Sequence, residues 1–278
     1  MKETRAEYLP IQKLRPFEGH PFKVTDNEEM DQLTWSILTQ GLLTPLVVRP
    51  LDNGEYEVIS GHRRLHACKK AGIETVPALI YAIDRDAAAI ALVDSNLQRE
   101  HILPSEKAYA YKLKLEAMNH QGRTSGQVGQ KWSRDEIAEG ESGRQVQRYI
   151  RLTNLIPGIL QKVDEGRIAL TPAVELSYLT DAEQEDLLET MESEDCTPSL
   201  SQAIQMKALS QSGQLDMDTI FHIMTQPKAN QQEKISFKVS ELRDFFPRHY
   251  TVAQMMQEIK VALKERQQRL ARQRDHSR

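Results

Sequence analysis

Cysteine is nearly absent: the chain of 278 residues has two, Cys68 and Cys196, far apart and without a CxxC partner. That excludes a disulfide framework and a zinc site built on paired thiolates, and leaves two ordinary thiols in a reducing compartment. A long apolar run is missing too. No stretch approaches the ~20 apolar residues of a membrane span, and MKETRAEYLPIQKLRPFEGH lacks the apolar core of a signal peptide. The expectation is a cytoplasmic protein with no membrane contact. An overall basic charge is lacking as well, the formal net charge being -4. Nucleic-acid binding needs only a local basic surface, so this excludes nothing but a chain that is basic throughout.

What is present is a globular composition, 39% hydrophobic and 27% charged, long enough for roughly two or three domains. Between Ile11 and Ala82, after an apolar stretch at LPIQKL, the β-branched runs LVVRPL, YEVIS and TVPALIYA alternate with helical spacing over Asp26 to Gln40 and over HRRLHACKKAG. Asp52-Asn53-Gly54 marks a hairpin. The pattern predicts an α+β module over residues 1–100. Asp84 to Asn119 reads as two helices divided by Leu-Pro-Ser at 103–105, and NHQGRTSGQVGQ as a flexible loop. The short segments SRDEIAEG, SGRQVQRYIRLTNL, PGILQKVDEG and TPAVELSYL then predict an all-α domain over 101–212, with a helix-turn-helix at about 133–154 and acidic helices behind it. From 213 to 278 the region is read as mostly helical, but with a polar, glutamine-bearing stretch running from about Gly213 to EKISFKVSEL. It holds EKISFKVSEL as a strand and a terminal amphipathic helix with Val252, Met255 or Met256, Ile259 and Leu263 on one face, a candidate for dimerisation.

Three features carry chemistry. Ser60-Gly61-His62-Arg63-Arg64 stands where a strand hands over to a helix. Free backbone N–H groups, a glycine that permits close approach and forked guanidiniums together suit a phosphate; a solvated basic first turn is the competing reading. In DSNLQREHILPSEKA, Asn96, Gln98 and Arg99 end one helix beside the start of the next. They either add donors to an anion site or to Mg²⁺ coordination, or form a plain C-cap. Arg144, Gln145, Gln147, Arg148 and Arg151, with Ser142 or Gly143 at the N-cap, suit base edges and phosphates in a major groove; the alternative is the polar face of a helical hairpin.

Taken in order, TQGLLTPLVVRP, ISGHRRLHACKKAGIETVPALI, SNLQREHILPSEKAYAY and GRQVQRYIRLTNLIPGILQKVDEGRIALTPAVEL resemble the ParB family of DNA partition proteins and its nucleoid-occlusion relatives, over about Leu9 to Leu179. The resemblance implies a sulfiredoxin-like N-terminal module that binds CTP with Mg²⁺, a palindromic double-stranded DNA site that stimulates binding, and a homodimer that closes as a clamp on DNA. It also implies nucleoid association, a ParA-type ATPase partner, and service to a plasmid, chromosome or mobile element. Carried over by motif, Gly61, Arg63 and Arg64 hold the triphosphate beside Ser60, Asn96 meets metal and phosphates, Arg99 closes the same motif, and Thr44 borders the nucleotide. Two positions depart: His62 and Ser95 stand where the family often has glutamate. A hydroxyl cannot orient or deprotonate water as a carboxylate does, so binding is expected ahead of CTP hydrolysis. The short leucine and glycine motif that engages the partner ATPase is not visible in MKETRAEYLP. Two other classes stay open: a helix-turn-helix transcription regulator with a degenerate nucleotide site, and a phosphotransfer enzyme like small-molecule kinases or sulfiredoxin, the latter needing a reactive cysteine such as Cys68.

Overall fold

Five short strands form one mixed sheet in the order β1-β5-β3-β4-β2: β1 Thr4–Pro10, β2 Leu14–Pro16, β3 Leu46–Pro50, β4 Tyr56–Ser60 and β5 Thr75–Tyr81. They are seen in a computed structural model that describes residues 4–124, 141–226, 239–247 and 249–276. β3 and β4 make an antiparallel hairpin across the expected Asp52-Asn53-Gly54 turn, where Leu51 N–H donates to Glu55 O at 2.9 Å. β1 runs antiparallel to β5, while β5 with β3 and β4 with β2 are parallel. Sequence signals marked only the end of β1, at LPIQKL. It is an edge strand with exposed Arg5 and Tyr8, and such strands carry charge on their open side, which hides the alternation.

The two faces of β4 divide the module's packing, because successive strand residues point opposite ways. Val58 joins a core with Leu46 of β3, Met30 of α1, Glu28–Gln40, and Leu65 and Cys68 of α2, His62–Lys70. Ile59 joins another with Phe17 and Phe22 from the loop after β2, Leu92 from α3, Arg85–Leu97, and Ala110 from α4, Pro104–Thr124. Both α1 and α3 start on side-chain caps: Asn27 Oδ1 accepts Met30 N–H at 3.0 Å, and Asp84 Oδ1 accepts Ala87 N–H at 2.7 Å. Such caps contribute about 1 kcal/mol each. α4 runs on to Thr124, past Asn119 where the sequence predicted a loop. Its first turns are anchored by buried Ala108, Ala110 and Tyr111, and once a helix is nucleated each further residue adds a bond at small cost, which carries it through Gly122. The rest of that expected loop, 125–130, and the expected first helix of the helix-turn-helix, 133–140, lie outside the described residues.

The helical part continues with α5 Gly143–Arg151, α6 Pro157–Asp164, α7 Leu170–Leu176, α8 Asp181–Ser193, α9 Leu200–Gln211 and α10 Met217–Thr225. Leu152, Ile159, Leu176, Leu187, Met206 and Ile220 share its core. α8 and α9 open on capping boxes, Thr180 with Glu183 and Ser199 with Gln202. α10 corrects the reading of a polar stretch after Gly213. Asp216 caps it through Thr219 N–H, and Ile220, Ile223 and Met224 are buried against the helices before it. The chain divides into two units, 1–226 and 227–278. In the second, Val239–Arg243, labelled α11, is helical where EKISFKVSEL suggested a strand; positions 233–238 lie outside the described residues. α12 is Val252–His276. Among the described residues no helix is long and apolar enough to cross a membrane.

Candidate functional site

Gly61 is the N-cap of α2 and sits in the left-handed region, φ 103° and ψ 26°. A Cβ there would lie 2.6 Å from Leu46 Cδ2, so conformation and space both require glycine. No side chain caps this helix. Its first N–H groups are therefore free donors at the positive end of the helix dipole.

They open on a cavity of about 210 Å³ lined by Ser60, Gly61, His62 and Arg63 from the β4–α2 turn, by Ser95, Asn96 and Arg99 from the end of α3, and by His20, Phe22, Lys23 and Val24 from the loop after β2. None of these residues is acidic. Arg63 pairs with Glu29 at 2.9 Å, the Arg63 side chain partly exposed and that of Glu29 largely so. An exposed pair is worth little and gives way readily to a stronger anion. Asn96 donates through Nδ2 to Leu92 O at 2.9 Å, and Ser95 Oγ donates to the same carbonyl at 2.9 Å. Ser95 is thus engaged with its own helix.

The loop after β2 is pinned at several points. Phe17 N–H donates to His62 Nε2 at 3.3 Å, Glu18 N–H to Glu57 Oε1 at 3.2 Å, and Lys23 N–H to Glu106 Oε1 at 2.8 Å. Glu57, buried on β4, also accepts Arg49 Nε–H at 2.6 Å. Burial, with His20 adding to it, pushes the His62 imidazole down to about 3.

Of the residues singled out from sequence, Ser60, Gly61, Arg63, Asn96 and Arg99 come together on this cavity. Arg64 and Thr44 meet each other beside it: Arg64 Nη1 donates to Thr44 O at 2.7 Å and Pro45 O at 3.0 Å. Burial lowers the Arg64 guanidinium from its ordinary value, with Cys68 acting weakly the other way. Cys68 is fully buried, and that burial raises its thiol. A buried, protonated thiol is no nucleophile. For Mg²⁺ the wall offers neutral oxygens from Ser60, Ser95 and Asn96 without a carboxylate, and no cluster of three His, Cys, Asp or Glu suited to a metal occurs among the described residues. Magnesium normally takes one or two carboxylates besides phosphates. These residues do not build a metal seat, so an ion here would be carried by the phosphates themselves.

On α5, Ser142 Oγ accepts Gln145 N–H at 3.3 Å, and Gly143 and Val146 face inward. Arg144, Arg148 and Arg151, spaced four and three apart, share the side of α5 opposite Val146, with Gln145 and Gln147 flanking them. Arg144 is exposed. Arg148 is braced by Gln145 Oε1 at 3.1 Å and Thr171 Oγ1 at 2.6 Å. Arg151 donates to Ser177 Oγ at 3.1 Å and Ser177 O at 3.0 Å, with its guanidinium 3.7 Å from the Tyr178 ring centroid.

Residues 1–97 match the ParB N-terminal domain. Over 84% of this chain and 77% of the relative, the sequence is 30% identical to the probable chromosome-partitioning protein ParB of Vibrio cholerae. The chain belongs to the ParB family. It is also 36% identical over 181 residues to the chromosome-partitioning protein Spo0J of Thermus thermophilus, covering 65% of this chain and 61% of that one. With the nucleoid occlusion protein of a Geobacillus strain it shares 36% identity over 119 residues, and the match spans only 42% of that relative's length. A solved C-terminally truncated ParB of Caulobacter crescentus in complex with the centromeric parS site is 23% identical, with TM-score 0.43, over 74% of this chain and 99% of that one. Within this ParB-family module, the sequence motifs supplied the α2 and α3 walls of the cavity and missed the third. His20, Phe22, Lys23 and Val24 come from a loop whose one local signal is a histidine and a lysine within GHPFK, bounded by glycine and proline.

Proposed function

We propose that this chain is a ParB-type partition protein that grips the triphosphate of CTP in the cavity between α2, the end of α3 and the loop after β2, and reads a palindromic DNA site through α5. The observation that carries the nucleotide reading is the uncapped start of α2 facing Ser60, Arg63, Asn96 and Arg99 around a cavity with no acid in its wall. At about 210 Å³ it falls below the ~300–1,000 Å³ usual for whole small molecules. It suits phosphates, with ribose and base lying outside. The choice of CTP, delivered as its magnesium complex, rests on family membership, as does a ParA-type ATPase partner. Hydrolysis is disfavoured, since Ser95 Oγ is bonded to Leu92 O and His62 Nε2 to Phe17 N–H. The sulfiredoxin-like alternative is weakened by the buried Cys68.

Homodimer formation is assigned to α12. Val252, Met256, Ile259 and Leu263 follow one another at four, three and four residues, the spacing of a two-stranded seam, and Val252, Met256 and Leu263 are more than half or about half exposed in their own unit. Titration of the full chain with each nucleoside triphosphate and Mg²⁺, with and without palindromic DNA from its own replicon, tests the whole reading. CTP alone of the four should bind, more tightly with the DNA, in a particle that sediments as a dimer. Site-specific DNA binding with no CTP binding would instead make the chain a plain helix-turn-helix regulator.

Arg144 gives a separate check of the DNA face. Because it is exposed, Arg144→Ala should leave folding unchanged, weaken DNA binding and reduce the log-log salt slope by about 0.9 if it meets a phosphate. An unchanged slope and affinity would remove α5 from the interface.

A further inference from the structure

The phosphate cavity has two imidazoles in its wall. His20, on the loop after β2, and His62, on the first turn of α2, lie with ring centroids 3.7 Å apart and planes inclined by 35°. Two positive charges at such a separation repel by about 4 kcal/mol even at an effective dielectric of ~20. At most one of the pair is protonated.

His62 is the neutral member. Its Nε2 is filled by Phe17 N–H at 3.3 Å, and a cation on the first turn of a helix opposes the dipole. His20 is placed differently. Burial holds it below its ordinary value and Arg99 adds to that, while the Phe22 backbone and the Glu106 carboxylate favour its charged form. The remaining charged groups around it are Lys23 on its own loop, Arg63 on α2, and Asp164 at the end of α6 with Glu165 just after it, which line a second cavity beside His20. Asp164 is occupied by Ser105 N–H at 2.9 Å, Ser105 Oγ at 2.6 Å and Lys23 Nζ at 3.3 Å. Arg99, which disfavours charge on His20, and Arg63, which shares the cavity wall, are therefore groups that a bound polyphosphate would neutralise.

We propose that His20 is a polyphosphate-binding residue of this cavity and takes up one proton as the anion binds. The inference rests on the nucleotide reading and adds a proton to it. The proton goes to a ring nitrogen of His20 from solvent, and the imidazolium faces the phosphates between Arg63 and Arg99. In the free protein His20 is held below its ordinary value and is mainly neutral at pH 7; the anion raises it. Affinity accordingly climbs as pH falls through the interval between the bound and free values, and levels off below the free value.

The experiment is isothermal titration of the full chain with Mg-CTP near pH 7 in buffers of differing ionisation enthalpy. The phosphates of Mg-CTP are fully ionised there, so any proton taken up belongs to the protein. Net uptake is expected, with Kd tightening by up to about tenfold per pH unit on acidification within that interval. His20→Gln should still bind CTP, more weakly and without uptake. Should that variant not fold, the His20 ring proton resonance of the unaltered chain, titrated with and without inorganic triphosphate, must shift its midpoint upward. CTP binding with no uptake, or uptake that survives in His20→Gln, overturns the proposal and leaves the nucleotide site standing. A folded chain that binds no CTP at any pH overturns both.

Discussion

Replacing Arg63 and Arg99 together by alanine should weaken CTP binding by at least about a thousandfold while leaving thermal unfolding nearly unchanged. Loss of one charge partner buried against a polyphosphate costs ~2–5 kcal/mol, so two such losses reach about the ~4 kcal/mol that a thousandfold change represents, or more. The folded chain gives up little in exchange. Arg63 holds only the exposed ion pair with Glu29, and Arg99 is exposed; such groups contribute ~0–1 kcal/mol. Arg64→Ala behaves differently. Arg64 spends its donors on Thr44 O and Pro45 O, so its removal leaves two carbonyls short of a partner and loosens the β3 end of the site. Calorimetric titration beside a melting curve separates the cases. Binding by the double variant within about tenfold of the original would place the triphosphate elsewhere.

Glu57→Ala should lower the stability of the first unit by about 3–5 kcal/mol, read as a shift in the urea midpoint. The Arg49 and Glu57 side chains are only 13% and 7% exposed. Removing the carboxylate strands a guanidinium inside the sheet and also frees Glu18 N–H, one of the pins of the cavity loop. Glu57→Gln, which keeps an acceptor but not the charge, should fall between. A loss below about 1 kcal/mol for the alanine variant would show that Arg49 reaches water unaided.

The hairpin, α1 and the Gly61 turn were readable because each rests on local chemistry: Asp52-Asn53-Gly54, the spacing over 26–40, and a glycine between a β-branched run and a helix. The cavity's third wall was not. His20 and Lys23 reach α2 and α3 through long-range anchors at Glu57, His62 and Glu106, and no periodicity encodes a contact between positions so far apart in the chain. β1 was hidden by its charged open side, and α10 by its short length, its identity fixed by burial of Ile220, Ile223 and Met224 rather than by pattern. Arg63 and Arg64, adjacent and alike in sequence, part in the fold: Arg63 lines the cavity while Arg64 holds the backbone beside it.

The arginines of α5 differ in how free they are before any DNA arrives. Tyr178 lies between two cations, Arg151 and Lys207, each 3.7 Å from its ring centroid, and Arg148 is tied to Thr171. Ordering a long side chain at an interface costs ~0.5–1.5 kcal/mol. For Arg148 and Arg151 that ordering is complete when the domain folds, and only Arg144 still has it to undergo. A DNA site engaged by α5 would meet two arginines already in register and one that searches, so sequence preference is expected to be sharpest opposite the fixed pair and most forgiving opposite Arg144.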